Sequence, residues 1–171
     1  FGEQAAREFF HDAAAELKNY HTFDDVLSAV ANGDVDYGVL PIENSTAGDV
    51  LEVSDLIIRY NLYIVGEHTL RVRHNLLALP DAELSDITQV YSHIQALNQC
   101  HQYLKKHENI ESIPYANTAL AAEYVAAKGD IHSASIGSIR CSELYNLKVL
   151  ASDIQTVKNN FTRFIIISKH M

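Results

Sequence analysis

The sequence predicts an α/β fold in which short strands alternate with helices. Near the end of the chain, Ile165-Ile166-Ile167 forms an apolar, β-branched run that is too short for a helix and is typical of a buried strand. Apolar runs at 37–40, 133–136 and 148–150 have the same character. Segments with helical spacing of apolar residues separate these runs. This alternation predicts largely parallel sheets covered by helices.

Two helices are predicted in the first part of the chain. The first runs from Glu3 to about Tyr20, because apolar residues recur there at helical spacing. These residues are Ala5, Ala6, Phe9, Phe10, Ala13, Ala14 and Leu17. The second begins after Thr22, which suits an N-cap with Asp25 at the capping-box position, and it ends before Gly33.

Further strands and helices alternate along the rest of the chain. The predicted strands are Tyr37–Leu40, which ends at Pro41, Tyr63–Arg73, a strand ending at Val90-Tyr91, Ser112–Tyr115, Ser133–Ile136, Lys148–Leu150 and the final strand. The predicted helices are about Asp49–Tyr60, Ile94–Lys106, one from Asn117 or Thr118 to near Lys128, and one that follows Gly137-Ser138 and ends at Tyr145. We expect a loop from Pro41 to Gly48.

A chain of 171 residues is long enough for one large domain or two small lobes. The extended segment around Arg73 to Pro80 is the predicted boundary. We expect residues 1–73 together with about 155–171 to form the first lobe, and residues 74–154 to form the second. Each lobe is near the lower size limit for an independent core, so the two lobes are expected to share an interface.

Composition excludes several function classes. Acidic residues number 22 against 13 basic residues, and the net charge of -9 argues against a nucleic-acid partner. No apolar run approaches the roughly 18 residues that a membrane span requires, so no membrane partner is expected. The chain begins without Met and without the pattern of a secretory signal. These features predict a cytoplasmic protein.

The sequence predicts no metal and no nucleotide cofactor. Cys100 and Cys141 lie in separate segments and form no CxxC motif, so we expect two reduced thiols in the core. The nine histidines are scattered and contain no HxxxH pair. The seven glycines form neither a dinucleotide-binding fingerprint nor a phosphate-binding loop.

Polar residues occupy three predicted strand-to-helix junctions and the start of the final strand. The junctions are Glu43-Asn44-Ser45, Ser92-His93 and Asn117-Thr118, and the final strand adds Thr162-Arg163. In α/β folds, ligands bind at the carboxyl ends of strands and at helix N-termini, so the four stretches are expected to converge on one cleft. The planar guanidinium of Arg163 suits a carboxylate, and the hydroxyl of Thr162 can donate a proton or a hydrogen bond. Gln99 lies two helical turns after Ser92.

A structural interpretation of the same residues stays open. Asn44 and Ser45 are ordinary turn and capping residues, and Ser92 is a natural N-cap. Thr162 has high strand propensity, and Arg163 can be a solvated residue at a strand end.

Considered together, the motifs resemble one family, prephenate dehydratase. The pieces occur in the order of that family and cover nearly the whole chain. They are Phe1-Gly2-Glu3-Gln4-Ala5-Ala6, Gly38-Val39-Leu40-Pro41-Ile42-Glu43-Asn44-Ser45, Gly66-Glu67, His74-Asn75-Leu76-Leu77, Tyr91-Ser92-His93-Ile94-Gln95-Ala96-Leu97, Gln99-Cys100, Thr118-Ala119 and Asn160-Phe161-Thr162-Arg163-Phe164.

The resemblance implies two lobes like those of type II periplasmic binding proteins, with the active site in the inter-lobe cleft. It implies a carbon–oxygen lyase (a hydro-lyase) that converts prephenate to phenylpyruvate, CO2 and water in phenylalanine biosynthesis, without a cofactor. Thr162 matches the threonine that protonates the leaving hydroxyl, and Arg163 would hold a substrate carboxylate. The implied substrate-binding residues are Asn44, Ser45, Ser92, Gln99, Phe164 and Glu43, of which Glu43 also suits a role in bracing its loop.

The sequence also departs from the family pattern. It opens after the family's first strand and glycine-rich turn, and Ile94 replaces a common proline. Within these 171 residues we expect neither a phenylalanine-binding ACT domain nor a chorismate mutase. We expect a homodimer or homotetramer. The alternatives are an arogenate dehydratase, a non-catalytic module that binds small anions on the same fold, and a fragment that folds poorly. A prephenate decarboxylase relative is disfavoured because Thr162 is present.

Overall fold

The computed structural model describes residues 1–11 and 15–171 as an α/β protein with two β-sheets. The backbone divides into unit 1, formed by Phe1–Val72 and Asn160–Met171, and unit 2, formed by Arg73–Asn159. Each unit contains one sheet with helices packed against it. The α/β class predicted from the sequence is confirmed.

The bounds of the elements follow the chain. The helices are α1 (Gly2–Phe10), α2 (Phe23–Asn32), α3 (Leu51–Tyr60), α4 (Ile94–Gln99), α5 (His101–Lys105), α6 (Thr118–Lys128) and α7 (Ile139–Tyr145), with a short 3-10 turn at Leu84–Asp86. The strands are β1 (Tyr37–Asn44), β2 (Gly48–Asp49), β3 (Tyr63–Arg71), β4 (Asn75–Ala78), β5 (Gln89–Ser92), β6 (Glu111–Pro114), β7 (Ser133–Gly137), β8 (Lys148–Ala151) and β9 (Phe161–Ser168).

The sheet of unit 1 has the order β2-β1-β9-β3, and every neighbouring pair is antiparallel. The last strand, β9, therefore lies between two early strands. On one of its faces, Ile165 and Ile167 join a core cluster with side chains of α2 and α3. On the other face, Phe164 packs with Ala5 and Leu70. The prediction of a buried strand at the isoleucine run is confirmed.

Helix α1 lies very close to β3. A Cβ atom added at Gly66 would come within 2.6 Å of Cζ of Phe9, so any larger residue here would displace this ring. At the end of the helix, the ring of Phe10 packs against Tyr37 with centroids 5.2 Å apart. These two contacts attach the C-terminal end of α1 to the sheet.

The predicted length of α1 is wrong. The helix ends at Phe10, and His11 takes the left-handed conformation with φ 48° while its N–H donates to Arg7 O. Residues 15–20 contain no helix, and the predicted helical positions Ala13 and Ala14 lie outside the described residues. The sequence has no Gly or Pro at His11, so no local stop signal predicted this end.

Strand β1 continues past Pro41, where the sequence predicts its end. Its register with β9 shifts between Pro41 and Glu43, which is a β-bulge. A bulge admits proline because the ladder is interrupted there and the missing N–H has no partner to satisfy. Asn44 then pairs with Gly48 of β2. The predicted loop before α3 is therefore largely a strand end and a hairpin.

The sheet of unit 2 has the order β6-β5-β7-β4-β8. Strand β5 is parallel to β6 and β7, whereas β4 is antiparallel to β7 and β8. The prediction of largely parallel sheets is wrong for unit 1 and holds only for the β6-β5-β7 part of unit 2. Alternation of strands and helices does not reveal when a strand pairs with a partner far away in the chain.

Helix caps agree well with their predicted positions. Thr22 and Asp25 form a reciprocal capping box at α2, and Gly33 ends that helix with φ 81°. Asn117 caps α6 by accepting a hydrogen bond from Leu120 N at 2.8 Å. The predicted helix Ile94–Lys106 is instead two helices, because Cys100 leaves helical geometry with ψ 12°.

Both cysteines are free and buried, and burial raises the pKa of the Cys100 thiol to about 12. Among residues 1–11 and 15–171, no helix is long and apolar enough to cross a membrane.

Candidate active site

The hydroxyl of Thr162 lies in a buried polar cluster at the start of β9. Thr162 pairs with Asn44 across the sheet, and the Asn44 side chain donates from Nδ2 to Thr162 Oγ1 at 2.8 Å. The same Nδ2 donates to Asn160 Oδ1 at 3.0 Å. Asn44, Asn160 and Thr162 are 7%, 1% and 8% exposed, respectively. We call these three residues the Thr162 cluster.

The orientation of the Asn44 amide is fixed by its own turn. Its Oδ1 accepts from Thr46 N at 2.9 Å, from Thr46 Oγ1 at 2.7 Å and from Ala47 N at 3.0 Å. A flipped amide would place its NH2 group against two backbone N–H donors. Nδ2 therefore faces Thr162. Because an amide NH2 cannot accept, the Thr162 hydroxyl oxygen receives this hydrogen bond and its own proton is directed to another acceptor.

Ser45 joins the hairpin to the start of β9. Its N–H donates to Phe161 O at 2.9 Å, and its Oγ accepts from Phe161 N at 2.9 Å. The predicted site residues Asn44 and Ser45 are therefore brought next to Thr162 by antiparallel pairing. Their predicted substrate contacts stay predictions.

Arg163 lies on the opposite face of β9 from Thr162, because successive residues of a strand point to opposite faces. Its guanidinium donates from Nε to Glu43 Oε2 at 3.1 Å and from Nη1 to Glu67 Oε2 at 3.4 Å. The Arg163 side chain is 45% exposed. The hydrogen bonds to Glu43 and Glu67 raise the pKa of Arg163. The structure does not bring the predicted guanidinium and hydroxyl together.

Phe164 returns to the face of Thr162 and is buried against Ala5 and Leu70. Its aromatic ring belongs to the packing between α1 and the sheet. A direct substrate contact for this residue stays a prediction.

In unit 2, Ser92 ends the parallel strand β5 and is fully buried. Its Oγ donates to Ile136 O at 2.7 Å. The prediction that Ser92 caps the next helix is wrong. His93 is the N-cap, and its Nδ1 accepts from Gln95 N at 3.2 Å. The strand continues one residue further than expected, so the cap moves by one position.

Gln99 is held by a buried histidine. Gln99 Oε1 and His74 Nε2 are 2.7 Å apart, so Nε2 donates to the amide oxygen. His74 is 2% exposed, and its backbone N–H donates to Gln155 Oε1 at 2.9 Å. Burial lowers the pKa of His74, while the hydrogen bond to Gln99 acts in the opposite direction. The His74 imidazole is therefore neutral near pH 7.

Asn160 and His74 belong to these polar clusters although the sequence motifs did not single them out as site residues. Asn160 immediately precedes β9 and lies two residues before Thr162, so the strand period of two, extended by one residue, gives a sequence signal for it. His74 has no local signal, because Gln99 is 25 residues away in the chain. Within the described parts of the chain, no group of three or more His, Cys, Asp or Glu side chains can hold a metal ion.

Comparison with known proteins identifies similar chains of one kind. A bifunctional chorismate mutase/prephenate dehydratase of Buchnera aphidicola subsp. Acyrthosiphon pisum is 37% identical over 149 residues, which is 87% of this chain and 39% of that protein. An arogenate dehydratase/prephenate dehydratase of Arabidopsis thaliana is 39% identical over 169 residues, which is 99% of this chain and 42% of that protein. The chain thus spans about two fifths of the length of these relatives.

Among solved structures, the prephenate dehydratase of Arthrobacter aurescens in complex with L-Phe is similar to this chain, with a TM-score of 0.91 and 29% identity. The match covers 99% of this chain and 57% of that one. The family model described as prephenate dehydratase matches residues 1–171. The resemblance inferred from the motifs is confirmed, and the chain belongs to the prephenate dehydratase family.

Proposed function

We propose that this chain is the catalytic domain of a prephenate dehydratase, which converts prephenate to phenylpyruvate in phenylalanine biosynthesis. Family membership supports the reaction class, a hydro-lyase. The observation that carries the proposal is the Thr162 hydroxyl, which is buried and accepts a hydrogen bond from Asn44 at 2.8 Å. The proton of that hydroxyl is therefore available for donation.

The reaction requires one proton at one oxygen. The bond between the ring and its carboxylate breaks to release CO2, and the electron pair forms the aromatic ring. The C–O bond to the ring hydroxyl breaks at the same time, and a proton from Thr162 Oγ1 converts the leaving hydroxyl to water. Thr162 then regains a proton from solvent. No oxidant, reductant or cofactor is needed for this balance.

A threonine hydroxyl is a weak acid, so its surroundings must stabilise the oxygen as it loses its proton. The N–H of Asn44 already points at Oγ1 and is held in place by its own turn. A preorganised donor of this kind stabilises negative charge without reorganisation during the reaction. Asn44 therefore strengthens Thr162 as a proton donor in the proposed mechanism.

The remaining predicted contacts form part of the proposal. Asn44, Ser45, Ser92 and Gln99 supply neutral hydrogen-bonding groups suited to a substrate with two carboxylates. For Arg163, two roles remain: it holds a substrate carboxylate, or it connects β9 to β1 and β3 through Glu43 and Glu67. Its two existing carboxylate partners favour the second role.

The first experiment is turnover of prephenate, followed as formation of phenylpyruvate, by the parent chain and by Thr162→Ala and Thr162→Ser. We expect turnover by the parent and a loss of about 1,000-fold in kcat for Thr162→Ala, within the range for removal of a general acid. Thr162→Ser keeps a hydroxyl and should retain more activity. Equal rates in the parent and in Thr162→Ala would remove Thr162 from the mechanism.

A second candidate substrate is arogenate, the amino analogue of prephenate. The Arabidopsis relative, at 39% identity, carries both activities in its name. The same residues could protonate the same leaving group, because the two substrates differ away from the ring hydroxyl. Comparing kcat/KM for prephenate and arogenate decides between them. Saturable binding without product from either substrate would instead support a binding module.

We further propose a homodimer or homotetramer in the cytoplasm. The exposed apolar side chains Tyr63, Ile64 and Val65 on β3 are compatible with self-association. Sedimentation analysis tests the oligomeric state, and fractionation of the source cells tests the compartment.

A further inference from the structure

Asn160 is the most deeply buried member of the Thr162 cluster, although no catalytic step requires it. It is 1% exposed and lies two residues before Thr162. Its side-chain Oδ1 accepts from Asn44 Nδ2 at 3.0 Å. Its backbone carbonyl separately accepts from Val72 N at 2.8 Å. The main chain of Asn160 is therefore anchored without help from its side chain.

The two hydrogens of Asn44 Nδ2 have one acceptor each. One hydrogen points to Thr162 Oγ1 and the other to Asn160 Oδ1. With three donors on its carbonyl oxygen and two acceptors for its NH2 group, the amide has one low-energy orientation. Removal of the Asn160 acceptor would leave one buried hydrogen without a partner. The amide would then rotate toward a new acceptor and weaken its bond to Thr162.

The two ends of the buried Asn160 amide differ, because within the described part of the chain only its oxygen has a hydrogen-bond partner. Asn160 Nδ2 is buried and has no hydrogen-bond partner among the residues that the structure describes. A buried donor without a partner destabilises a fold, and most buried polar groups in proteins are paired. An apolar residue would remove this unpaired donor, but it would leave one buried hydrogen of the Asn44 amide without an acceptor. The useful part of the side chain is therefore its oxygen, which faces Asn44.

We propose that Asn160 is a positioning residue for Thr162 and acts through Asn44. Its Oδ1 holds the Asn44 amide so that the second N–H of that amide remains on the Thr162 hydroxyl. The direction of the Thr162 proton, away from Asn44, follows from this arrangement. The inference rests on the proposed function, because Thr162 is the proton donor there.

The test measures kcat and KM for prephenate with Asn160→Ala and Asn160→Asp. The first variant removes the acceptor, and we expect kcat to fall about 10- to 100-fold while KM changes less than about 3-fold. The second keeps an acceptor for Asn44 in either protonation state. We expect the kcat of Asn160→Asp to stay within about 5-fold of the parental value. If the introduced carboxyl group is ionised, its charge should change KM rather than kcat.

A double-mutant cycle tests the route through Asn44. Combined with Asn44→Ala, the Asn160→Ala change should cause no further loss of kcat, because its target is already gone. Additive losses would show that Asn160 acts by another route and would overturn the inference. Ser168→Ala is the matched control, since Ser168 is also a buried polar residue but lies at the far end of β9. We expect it to keep the parental kcat.

The outcomes separate the inference from the proposed function. An Asn160→Ala variant with parental kcat overturns the inference and leaves the enzyme assignment intact. If the parent does not turn over prephenate, the NMR resonances of the Asn44 side-chain NH2 decide instead. They should shift in Asn160→Ala and not in Ser168→Ala, and unchanged resonances would overturn the inference. If Asn160→Ala fails to fold, Asn160→Asp decides instead. A folded Asn160→Asp variant without activity would overturn the inference, because this variant keeps the acceptor for Asn44.

Discussion

The two faces of β9 differ sharply at its first residues. On one face, Thr162 lies in a buried, neutral cluster whose side chains are joined by hydrogen bonds between uncharged groups. On the other face, the half-exposed guanidinium of Arg163 bonds two carboxylates, Glu43 and Glu67. Two residues that are adjacent in the sequence thus lie in different electrostatic environments, one buried and neutral and the other half exposed and charged.

In the proposed mechanism, the Thr162 face of β9 takes part in the reaction, and the Arg163 face joins neighbouring strands. A buried neutral cluster directs a hydroxyl proton with little competition from water, and its hydrogen bonds are strong in a low dielectric. A charged pair that is about half exposed is screened by solvent and salt, so its contribution is small. We therefore expect changes on the Thr162 face to affect turnover far more than changes on the Arg163 face.

The largest effect should come from Asn44→Asp, which replaces one heavy atom, the donor Nδ2, by an acceptor oxygen and changes almost no shape. The turn donors keep their acceptor, but the atom that faces Thr162 becomes an oxygen. The Thr162 hydroxyl would then donate to the new carboxylate rather than to substrate. We expect kcat to fall by about 100- to 10,000-fold, the range for loss of general acid catalysis.

Asn61→Asp serves as the control for this experiment. Asn61 is exposed and ends α3 in the left-handed conformation, which Asp also tolerates. It should retain parental turnover. Parental kcat in Asn44→Asp, with the fold intact by circular dichroism, would show that the direction of the Thr162 proton is unimportant.

A smaller effect is expected on the Arg163 face. If Arg163 mainly connects strands, Arg163→Gln and Glu43→Gln should each lower kcat by no more than about 10-fold and lower the denaturation midpoint only slightly, because solvent screens the pair. Their KM values should match each other within about 3-fold. Steady-state kinetics and chemical denaturation measure these quantities. Glu67→Gln, which removes the longer 3.4 Å contact, should have a still weaker effect.

The alternative role for Arg163 makes the opposite prediction. A guanidinium that holds a substrate carboxylate would raise KM by about 100-fold in Arg163→Gln, the scale of a lost charged hydrogen bond. Glu43→Gln would not reproduce that rise, since it leaves the guanidinium in place. Comparing KM for Arg163→Gln and Glu43→Gln therefore decides which of the two roles Arg163 has.

The smallest effect concerns His74, a second buried and neutral group, in unit 2. Burial lowers its pKa from the ordinary value of 6.5. Above pH 6.5 both folded and unfolded states carry a neutral imidazole, so its contribution to stability is fully present. As the pH falls through 6.5 toward the lowered folded-state value, the unfolded state binds the proton first and the free energy of unfolding decreases.

The measurement is the free energy of unfolding of the parent and of His74→Gln between about pH 5 and pH 8, the range in which histidine titrates. The variant should lose less stability than the parent as the pH falls. His101→Gln, at an exposed position two residues after Gln99, should leave the parental slope unchanged. An identical slope in the parent and in His74→Gln would show that His74 does not resist protonation.

Several features of the fold were predictable because their causes are local. The capping box at Thr22, the glycine at position 33 and the Asn117 cap each depend on residues within one helical turn. The buried strand at Ile165–Ile167 follows from side-chain composition alone. The family motifs likewise identify Asn44 and Thr162 as members of one candidate site.

Other features depend on contacts between distant segments. Helix α1 ends at Phe10, beside the contact of Phe9 with Gly66, and no Gly or Pro at His11 signals that end. The bulge after Pro41 exists because β1 pairs with β9, which lies more than 100 residues later. The role of His74 depends on Gln99. No local pattern contains such information.

The fold class, the caps at Thr22, Gly33 and Asn117, the buried final strand and the family to which the chain belongs all follow from the amino-acid sequence. The antiparallel register of the unit 1 sheet, and with it the difference between Thr162 and Arg163, emerges only in the folded chain. Strand alternation separates neighbouring residues onto two faces, while the partners on each face come from distant strands. Which neighbours a side chain meets is therefore a property of the sheet and not of the motif.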